Sequence, residues 1–207
     1  MKILARDIDP VGAYKLLSGA VVPRPIAWVT TLSEVGVVNL APFSCFTFLS
    51  SDPPTLGFLV GPRRGDLKDT ARNIRFLPQF VVHIADVPLL EALHASADEF
   101  LPEESEAEKL NLKLLPSEYV QVPRIAVAPV ALECVHDQTV KVGRVGTEFI
   151  IGEVKVFHVR DELYVDGKID SAALSPIARL AGPTYCALGE IVRMRPNKTS
   201  APGVVSI

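Results

Sequence analysis

Residues 23–41, PRPIAWVTTLSEVGVVNLA, decide how this chain begins to fold. The prolines at positions 23 and 25 exclude a helix there, because proline lacks an amide hydrogen and clashes with a preceding helical turn. Residues 26–32 are rich in β-branched and aromatic side chains, residues 33–36 end in a glycine as turns do, and residues 37–41 are again apolar. The stretch therefore predicts a β-hairpin.

Strand composition recurs along the rest of the chain. Further predicted strands cover residues 43–49, 55–60, 79–84, 129–135, 148–159 and 188–194, with a predicted turn at residues 165–168. The chain contains 17 prolines and 13 glycines, which favour many short elements joined by tight turns over a helix bundle. We predict a β-rich α+β protein with enough strands to close a barrel.

Helical signals are fewer. Residues 11–19 predict a short helix that buries Leu16 and Leu17. Residues 66–74 begin with acidic side chains and carry apolar residues at helical spacing, and residues 86–95 predict a further helix with its leucines inward.

Composition bounds the class of protein. With 207 residues, 48% of them hydrophobic and 22% charged, the chain can fill one core, and we predict a single domain over residues 1–207. The formal net charge of -3 gives no field that would attract nucleic acid, so no nucleic-acid partner is expected. No stretch approaches the roughly 20 apolar residues of a membrane span, and the first residues lack a signal-peptide core, which predicts a cytoplasmic location without membrane contact.

The cysteines do not suggest redox or metal chemistry of their own. Cys45, Cys134 and Cys186 are odd in number and far apart, which predicts neither disulfides nor a metal site. The histidines at positions 83, 94, 136 and 158 share no ligand spacing and are expected in strands or at the surface. A redox function would therefore need an organic cofactor.

Two stretches carry candidate ligand contacts, and the residues alone leave two interpretations of each. Polar side chains alternate with apolar ones over residues 23–54. They could bind the polar edge of a planar ligand that lies against a strand, or they could only cap turns and satisfy strand ends. Residues 65–70 enter a helix through glycine, with Lys68 and Thr70 near its first turn. They could seat a phosphate, or Asp66 and Asp69 could cap the helix instead.

Beyond these patterns, the chain resembles the flavin reductase-like, FMN-binding split-barrel family, which includes flavoredoxin. The resemblance covers nearly the whole chain in order. It is carried by residues 23–31, Gly36, residues 39–44, 52–54, 68–70, 73–74, 98–100, 123–125, 129–134, 152–154 and 177–180.

The resemblance implies a split β-barrel with a few short flanking helices and a homodimer that holds FMN at or near the subunit interface. It implies that Thr30 and Thr31, together with the segment from Asn39 through Ser44, line the isoalloxazine ring and the ribityl chain. The implied cofactor contacts comprise Arg24, Lys68 and Thr70 at the phosphate, and Thr30, Thr31, Asn39, Leu40, Ala41, Pro42, Ser44, Cys45 and Phe46 along the rest of the flavin. No catalytic side chain and no metal ligand are implied.

The function implied by the resemblance is an NAD(P)H-dependent flavin reductase, in which NADH or NADPH passes hydride to bound FMN and a monooxygenase or an electron-transfer protein receives the electrons. Two alternatives stay open: a flavoredoxin-type carrier reduced by a protein donor, and a flavin-binding module without turnover. Residues 98–119 are acidic and predict a surface excursion with one or two helical turns. Residues 101–106 are richer in acid than the family pattern, which would reshape the nicotinamide entrance.

Overall fold

The computed structural model describes residues 1–62 and 65–195. Residues 63–64 and 196–207 of the predicted single domain lie outside the described residues. The helices are α1 (Pro10–Ala20), α2 (Asp69–Phe76), α3 (Leu90–Ala95), α4 (Glu106–Lys109) and α5 (Ser171–Leu174), with 3-10 turns at Ala5–Asp7, Val87–Leu89 and Asp161–Leu163. The strands are β1 (Arg24–Pro25), β2 (Ala27–Leu32), β3 (Val38–Phe43), β4 (Phe46–Ser51), β5 (Pro54–Val60), β6 (Gln79–Ile84), β7 (Leu114–Leu115), β8 (Arg124–Ile125), β9 (Val130–Val142), β10 (Thr147–Val159), β11 (Tyr164–Val165), β12 (Lys168–Ile169), β13 (Ala178–Arg179) and β14 (Tyr185–Cys186).

The main sheet has seven strands in the order β3-β2-β6-β9-β10-β5-β4, and every neighbouring pair is antiparallel. Strands β3 and β4 are its two edges and do not pair with each other, so the strands of the described chain form no closed barrel. A small sheet of β1, β13 and β14 brings the early and late parts of the chain together.

The predicted hairpin is confirmed. Strands β2 and β3 pair from Ala27 opposite Phe43 to Leu32 opposite Val38. The turn is closed by a hydrogen bond from the Ser33 amide to the Val37 carbonyl, 2.9 Å long. Gly36 has φ +84°, a conformation that glycine adopts without steric cost.

Both faces of β2 are buried because the sheet is covered on each side there. Side chains alternate across a strand, so Val29 enters one core cluster, with Phe58 and Phe80, while Trp28 enters the other, with Leu93. The indole Nε1 of Trp28 donates to Ser96, so its polar group is satisfied as well. Helix α2 packs on the first face and α3 on the second.

The backbone of β10 at Gly152 lies close to the Phe80 ring, and this gives a first testable prediction. A Cβ on Gly152 would lie 2.8 Å from Cε1 of the fully buried Phe80 and 3.1 Å from the Val135 carbonyl oxygen. We expect Gly152→Ala to lower the free energy of unfolding by about 1–3 kcal/mol, since the core leaves the ring nowhere to move.

Gly57 supplies the matched control, because its added Cβ would meet the half-buried Phe149 ring at the same 2.8 Å. That ring can move toward solvent, so Gly57→Ala should cost less. Denaturant unfolding of the two variants measures both losses, and equal losses would contradict the explanation.

Three sequence expectations are corrected by the structure. Helix α1 forms as predicted, but Leu16 and Leu17 are 46% and 64% exposed rather than buried. Helical spacing defines an apolar face without saying whether the same chain covers it. Residues 188–194 form no strand, and the predicted strand at 43–49 is interrupted because β3 ends at Phe43 and β4 starts at Phe46.

The other helices agree with the sequence. The predicted helix at residues 86–95 starts as a 3-10 turn and continues as α3, with Leu93 buried. The acidic stretch from residue 98 contains a single helical turn, α4, but it is not wholly a surface excursion, because Glu106 is buried.

Candidate functional site

A groove of about 270 Å³ lies between edge strand β3, the start of α2 and the chain after α3. We call it the β3–α2 groove. It is lined by Asn39, Ala41, Pro42, Lys68, Asp69, Thr70, residues 96–99 and Glu106. The structure thus brings together five of the residues expected to contact a cofactor: Asn39, Ala41, Pro42, Lys68 and Thr70.

Two amide–hydroxyl pairs fix helix α2 against the hairpin. The Asn39 side-chain amide donates to Thr70 Oγ1 over 3.1 Å, and the Asn73 amide donates to Thr31 Oγ1 over 3.0 Å. All four residues are buried. Each threonine oxygen accepts the hydrogen bond in its pair, so this bond does not use the hydroxyl hydrogen of Thr70.

The first turn of α2 has the features of an anion seat. Its N-cap residue is Lys68, whose side chain makes no cap, and the Asp69 carboxylate binds Arg72 at 2.6 Å instead. Amide groups at an uncapped helix start attract negative charge. The Lys68 ammonium group lies 5.6 Å from the centre of the Phe43 ring, within cation–π range, which holds the charge over the end of β3.

Carboxylates also line the groove. Asp98, Glu99 and Glu106 belong to the lining together with Asp69. An anionic group is therefore favoured at the helix start and disfavoured toward residues 98–106.

Glu106 has a structural role that the sequence did not indicate. Its Oε2 accepts the amide hydrogen of Leu40 over 2.8 Å, at the edge of β3 where no further strand pairs. The Leu40 side chain is itself fully buried in the core, and Leu40, an expected cofactor contact, is not among the residues that line the groove. Glu106 lies 66 positions from Leu40, and no local pattern marks such a contact.

Arg24 and Thr30, which the resemblance placed at the flavin, have other partners. The buried Arg24 guanidinium donates to the carbonyls of Ser18, Val21 and Leu180 over 2.7, 2.8 and 2.9 Å. The Thr30 hydroxyl donates to the Pro123 carbonyl over 2.8 Å. Neither residue lines the β3–α2 groove.

The remaining expected contacts lie in the loop between β3 and β4 and at the first residue of β4. Cys45 is exposed, Ser44 is half-buried, and Phe46 packs partly on the core. The loop follows directly on the groove residues of β3 in sequence.

His83 is a buried structural histidine. Its Nδ1 donates to the Trp28 carbonyl and its Nε2 accepts the Ile125 amide hydrogen, each over 2.9 Å, which requires the neutral ring. Burial lowers the pKa of His83 to about 4, and the bond to Trp28 only partly opposes that shift. The ring thus joins β6 to β2 and to β8 without a role as a proton carrier near neutral pH.

Glu133 anchors a loop through its buried carboxylate. It accepts the amide hydrogens of Glu118, Tyr119 and Val120 over 2.7, 2.6 and 3.1 Å, and it also bonds His158 Nε2. Burial alone would raise the pKa of this carboxyl, but the hydrogen bonds outweigh burial and leave its pKa below the ordinary value.

Over residues 1–62 and 65–195, no three side chains of the metal-binding types His, Cys, Asp and Glu come together, and no helix has the length and apolarity that a bilayer crossing requires.

Comparison with known proteins decides the family. Residues 18–173 match the model of the flavin reductase like domain. The chain belongs to this family. An uncharacterized protein of Halalkalibacterium halodurans is 47% identical over 195 residues, which are 92% of this chain and 93% of the relative.

Solved structures of the same architecture agree. The nitrilotriacetate monooxygenase component B of Bacillus cereus is 36% identical, with a TM-score of 0.91 over 94% of this chain and 98% of that one. A protein with a split barrel domain from Shewanella frigidimarina is 20% identical, with a TM-score of 0.84 over 95% and 100% of the two chains. The predicted split β-barrel class with short flanking helices is confirmed, and this flavin reductase-like chain is an oxidoreductase in general terms.

Proposed function

We propose that the chain binds FMN in the β3–α2 groove and acts as an NAD(P)H-dependent flavin reductase. The observation that carries the proposal is the start of α2, where Lys68, the Thr70 hydroxyl proton and uncapped amides converge beside the polar edge of β3. A phosphate monoester suits these donors because each offers a charge or a proton to an anion.

The groove residues would position the cofactor and take no part in proton transfer. The phosphate would lie at Lys68 and Thr70, and the flavin would extend along residues 39–42 toward the loop at residues 44–46. The backbone of β3 stays in place because Glu106 holds the Leu40 amide. Bound FMN would supply the acceptor for hydride from the nicotinamide.

The relatives favour delivery of the electrons to another enzyme. The Bacillus cereus relative is the B component of a monooxygenase. We infer a monooxygenase partner for this chain on that basis.

Flavin identification and reduction test the proposal together. The purified protein should release FMN and not FAD on denaturation, and anaerobic NADH or NADPH should bleach the bound flavin rapidly. Bleaching only by a reduced protein donor would indicate the flavoredoxin-type carrier, and bleaching by neither would indicate a module without turnover. Stoichiometric FAD would contradict the FMN assignment.

The phosphate seat gives a prediction on affinity. Charge-assisted hydrogen bonds contribute roughly 1.5–3 kcal/mol, so Lys68→Ala should weaken FMN binding by about tenfold or more. Riboflavin, which lacks the phosphate, should lose little. Dissociation constants of both flavins for the wild type and the variant decide this, with Lys141→Ala on an exposed part of β9 as the control. Equal losses for FMN and riboflavin would refute the contact.

We also propose a homodimer that covers α1. The helix exposes Tyr14 and Leu17 at 68% and 64%, and the edge strand β4 exposes Phe48 at 69%. A homodimer would remove these large apolar side chains from solvent.

Light scattering should therefore report about twice the chain mass of 22.4 kDa. Leu17→Glu should shift the protein toward the monomer, because a carboxylate would have to be buried. Val145→Glu, at a 65% exposed position in the turn between β9 and β10, should leave the mass unchanged. A wild-type monomer with full flavin occupancy would exclude the dimer.

A further inference from the structure

A second cleft, of about 400 Å³, opens where β8 meets the start of β9 and the end of β10. We call it the Arg124 cleft, after the residue at its centre. It shares no lining residue with the β3–α2 groove. We propose that the Arg124 cleft binds a small organic anion that carries a carboxylate or phosphate head and an apolar body.

Arg124 is the residue that would bind the anionic head. Its side chain is half-buried, and its Nε is shielded from solvent without a hydrogen-bond partner among the described residues. A buried donor left without a partner is costly, and an arginine is charged at any physiological pH. Its planar fork of N–H groups matches a carboxylate or phosphate with two parallel hydrogen bonds.

Arg160 places a second cation on the same cleft. Its guanidinium lies 3.7 Å from an Asp86 oxygen and 3.5 Å from a Glu162 oxygen, and neither carboxylate lines the cleft. These partners hold Arg160 in place, and among residues 1–62 and 65–195 Arg124 forms no ion pair of its own.

The other polar group of the lining is already fixed. His158 lines the cleft while its Nε2 is bonded to Glu133, and Glu133 is engaged with three backbone amides. The Glu133 carboxylate is thus engaged with these groups, which leaves the place of an anionic partner beside Arg124 open. An external anion can fill that place.

The apolar side chains of the lining indicate that the rest of the ligand is apolar. Ala128, Pro129 and Ala131 provide small side chains, and Phe157 is 57% exposed at the border. An exposed aromatic ring beside an arginine suits a flat apolar body attached to the anionic head. Aromatic carboxylates and phosphate monoesters share this chemistry.

Two probes test the site on the full chain, with and without added FMN. Inorganic phosphate and benzoate are titrated at constant ionic strength, and backbone amide NMR shifts of residues 126–128, 130–131 and 157–160 report binding. We expect saturable binding that FMN does not displace. Tighter binding of benzoate would identify the apolar part as a contributor, and equal binding would show that the head alone is recognised; either result supports the site.

Matched variants locate the contact. Arg124→Gln should weaken both probes by about tenfold or more, the equivalent of about 1.4 kcal/mol, whereas Arg144→Gln in the exposed turn between β9 and β10 should weaken neither. Arg124→Lys keeps the charge and should bind with intermediate affinity, which guards against a loss caused by misfolding. Failure of both probes to saturate, displacement by FMN, or equal effects of Arg124→Gln and Arg144→Gln would overturn the proposal.

Discussion

Replacing Glu133 by leucine is expected to lower the free energy of unfolding by about 3–5 kcal/mol. The fully buried carboxylate accepts three consecutive backbone amides and the His158 imidazole. Leucine has similar bulk and cannot accept a hydrogen bond, so the amides of residues 118–120 would be left without their partner at a cost of roughly 1–3 kcal/mol for each that stays buried.

Denaturant unfolding measures this loss. Glu133→Gln should be intermediate, because one carbonyl oxygen is retained. Glu153→Leu is the control on β10: Glu153 pairs with Lys155 at a half-exposed position, and such a pair contributes at most about 1 kcal/mol. Similar losses for Glu133→Leu and Glu153→Leu would show that the carboxylate does not anchor the loop.

Acid is expected to destabilise the protein by about 3 kcal/mol through His83 alone. Burial lowers the pKa of His83 from 6.5 to about 4, and one pKa unit corresponds to about 1.36 kcal/mol. The folded state resists protonation of this ring and the unfolded state accepts it. The stabilisation is therefore complete above pH 6.5 and is lost as the pH falls toward about 4.

The free energy of unfolding, measured against pH for wild type and His83→Gln, checks the effect. The variant is less stable near neutral pH because it loses the bonds to Trp28 and Ile125, but its curve should fall less steeply on acidification. Curves that run parallel between pH 6.5 and 4 would contradict the assignment. Glu133 adds to the acid loss at lower pH, because its own pKa is lowered in the folded state and its bonds fail as it is protonated.

The parts of the fold that were predictable from the sequence rest on local signals. The hairpin at residues 26–41 has a turn with glycine at a positive φ between two β-branched runs, and these features act over a few residues. Helix α2 has acid at its start and buried Ala71 and Ile74 at helical spacing. The hairpin appears where the sequence indicated it, and α2 begins at Asp69, three residues after the predicted start at residue 66.

The features that the sequence did not predict correctly depend on contacts between residues far apart in the sequence or with another molecule. Leu16 and Leu17 were expected inside because the pattern of α1 is apolar, and a pattern cannot tell a core from a surface that another molecule covers. Glu106 and Glu133 have backbone amides as their partners, at positions that depend on the finished fold. No spacing rule in the sequence marks such a carboxylate as buried.

The sequence assigned residues to the candidate site without showing which of them come together. Asn39, Lys68 and Thr70, which the resemblance assigned to the cofactor, line one groove. Thr31 was expected to contact a ligand, and the structure shows it holding α2 through Asn73. A hydroxyl next to a binding groove can hydrogen-bond a neighbouring side chain as readily as a ligand, and the sequence does not distinguish the two.

Arg24 joins the two ends of the described chain. Its guanidinium reaches the last turn of α1 on one side and Leu180 on the other, and strand β1 pairs directly with β13. The N-terminal helix therefore cannot fray independently of the C-terminal strands, because either motion would leave a buried cation without its acceptors. We therefore expect the two ends to open together, so that the surface that α1 presents stays in place only while the late strands remain docked.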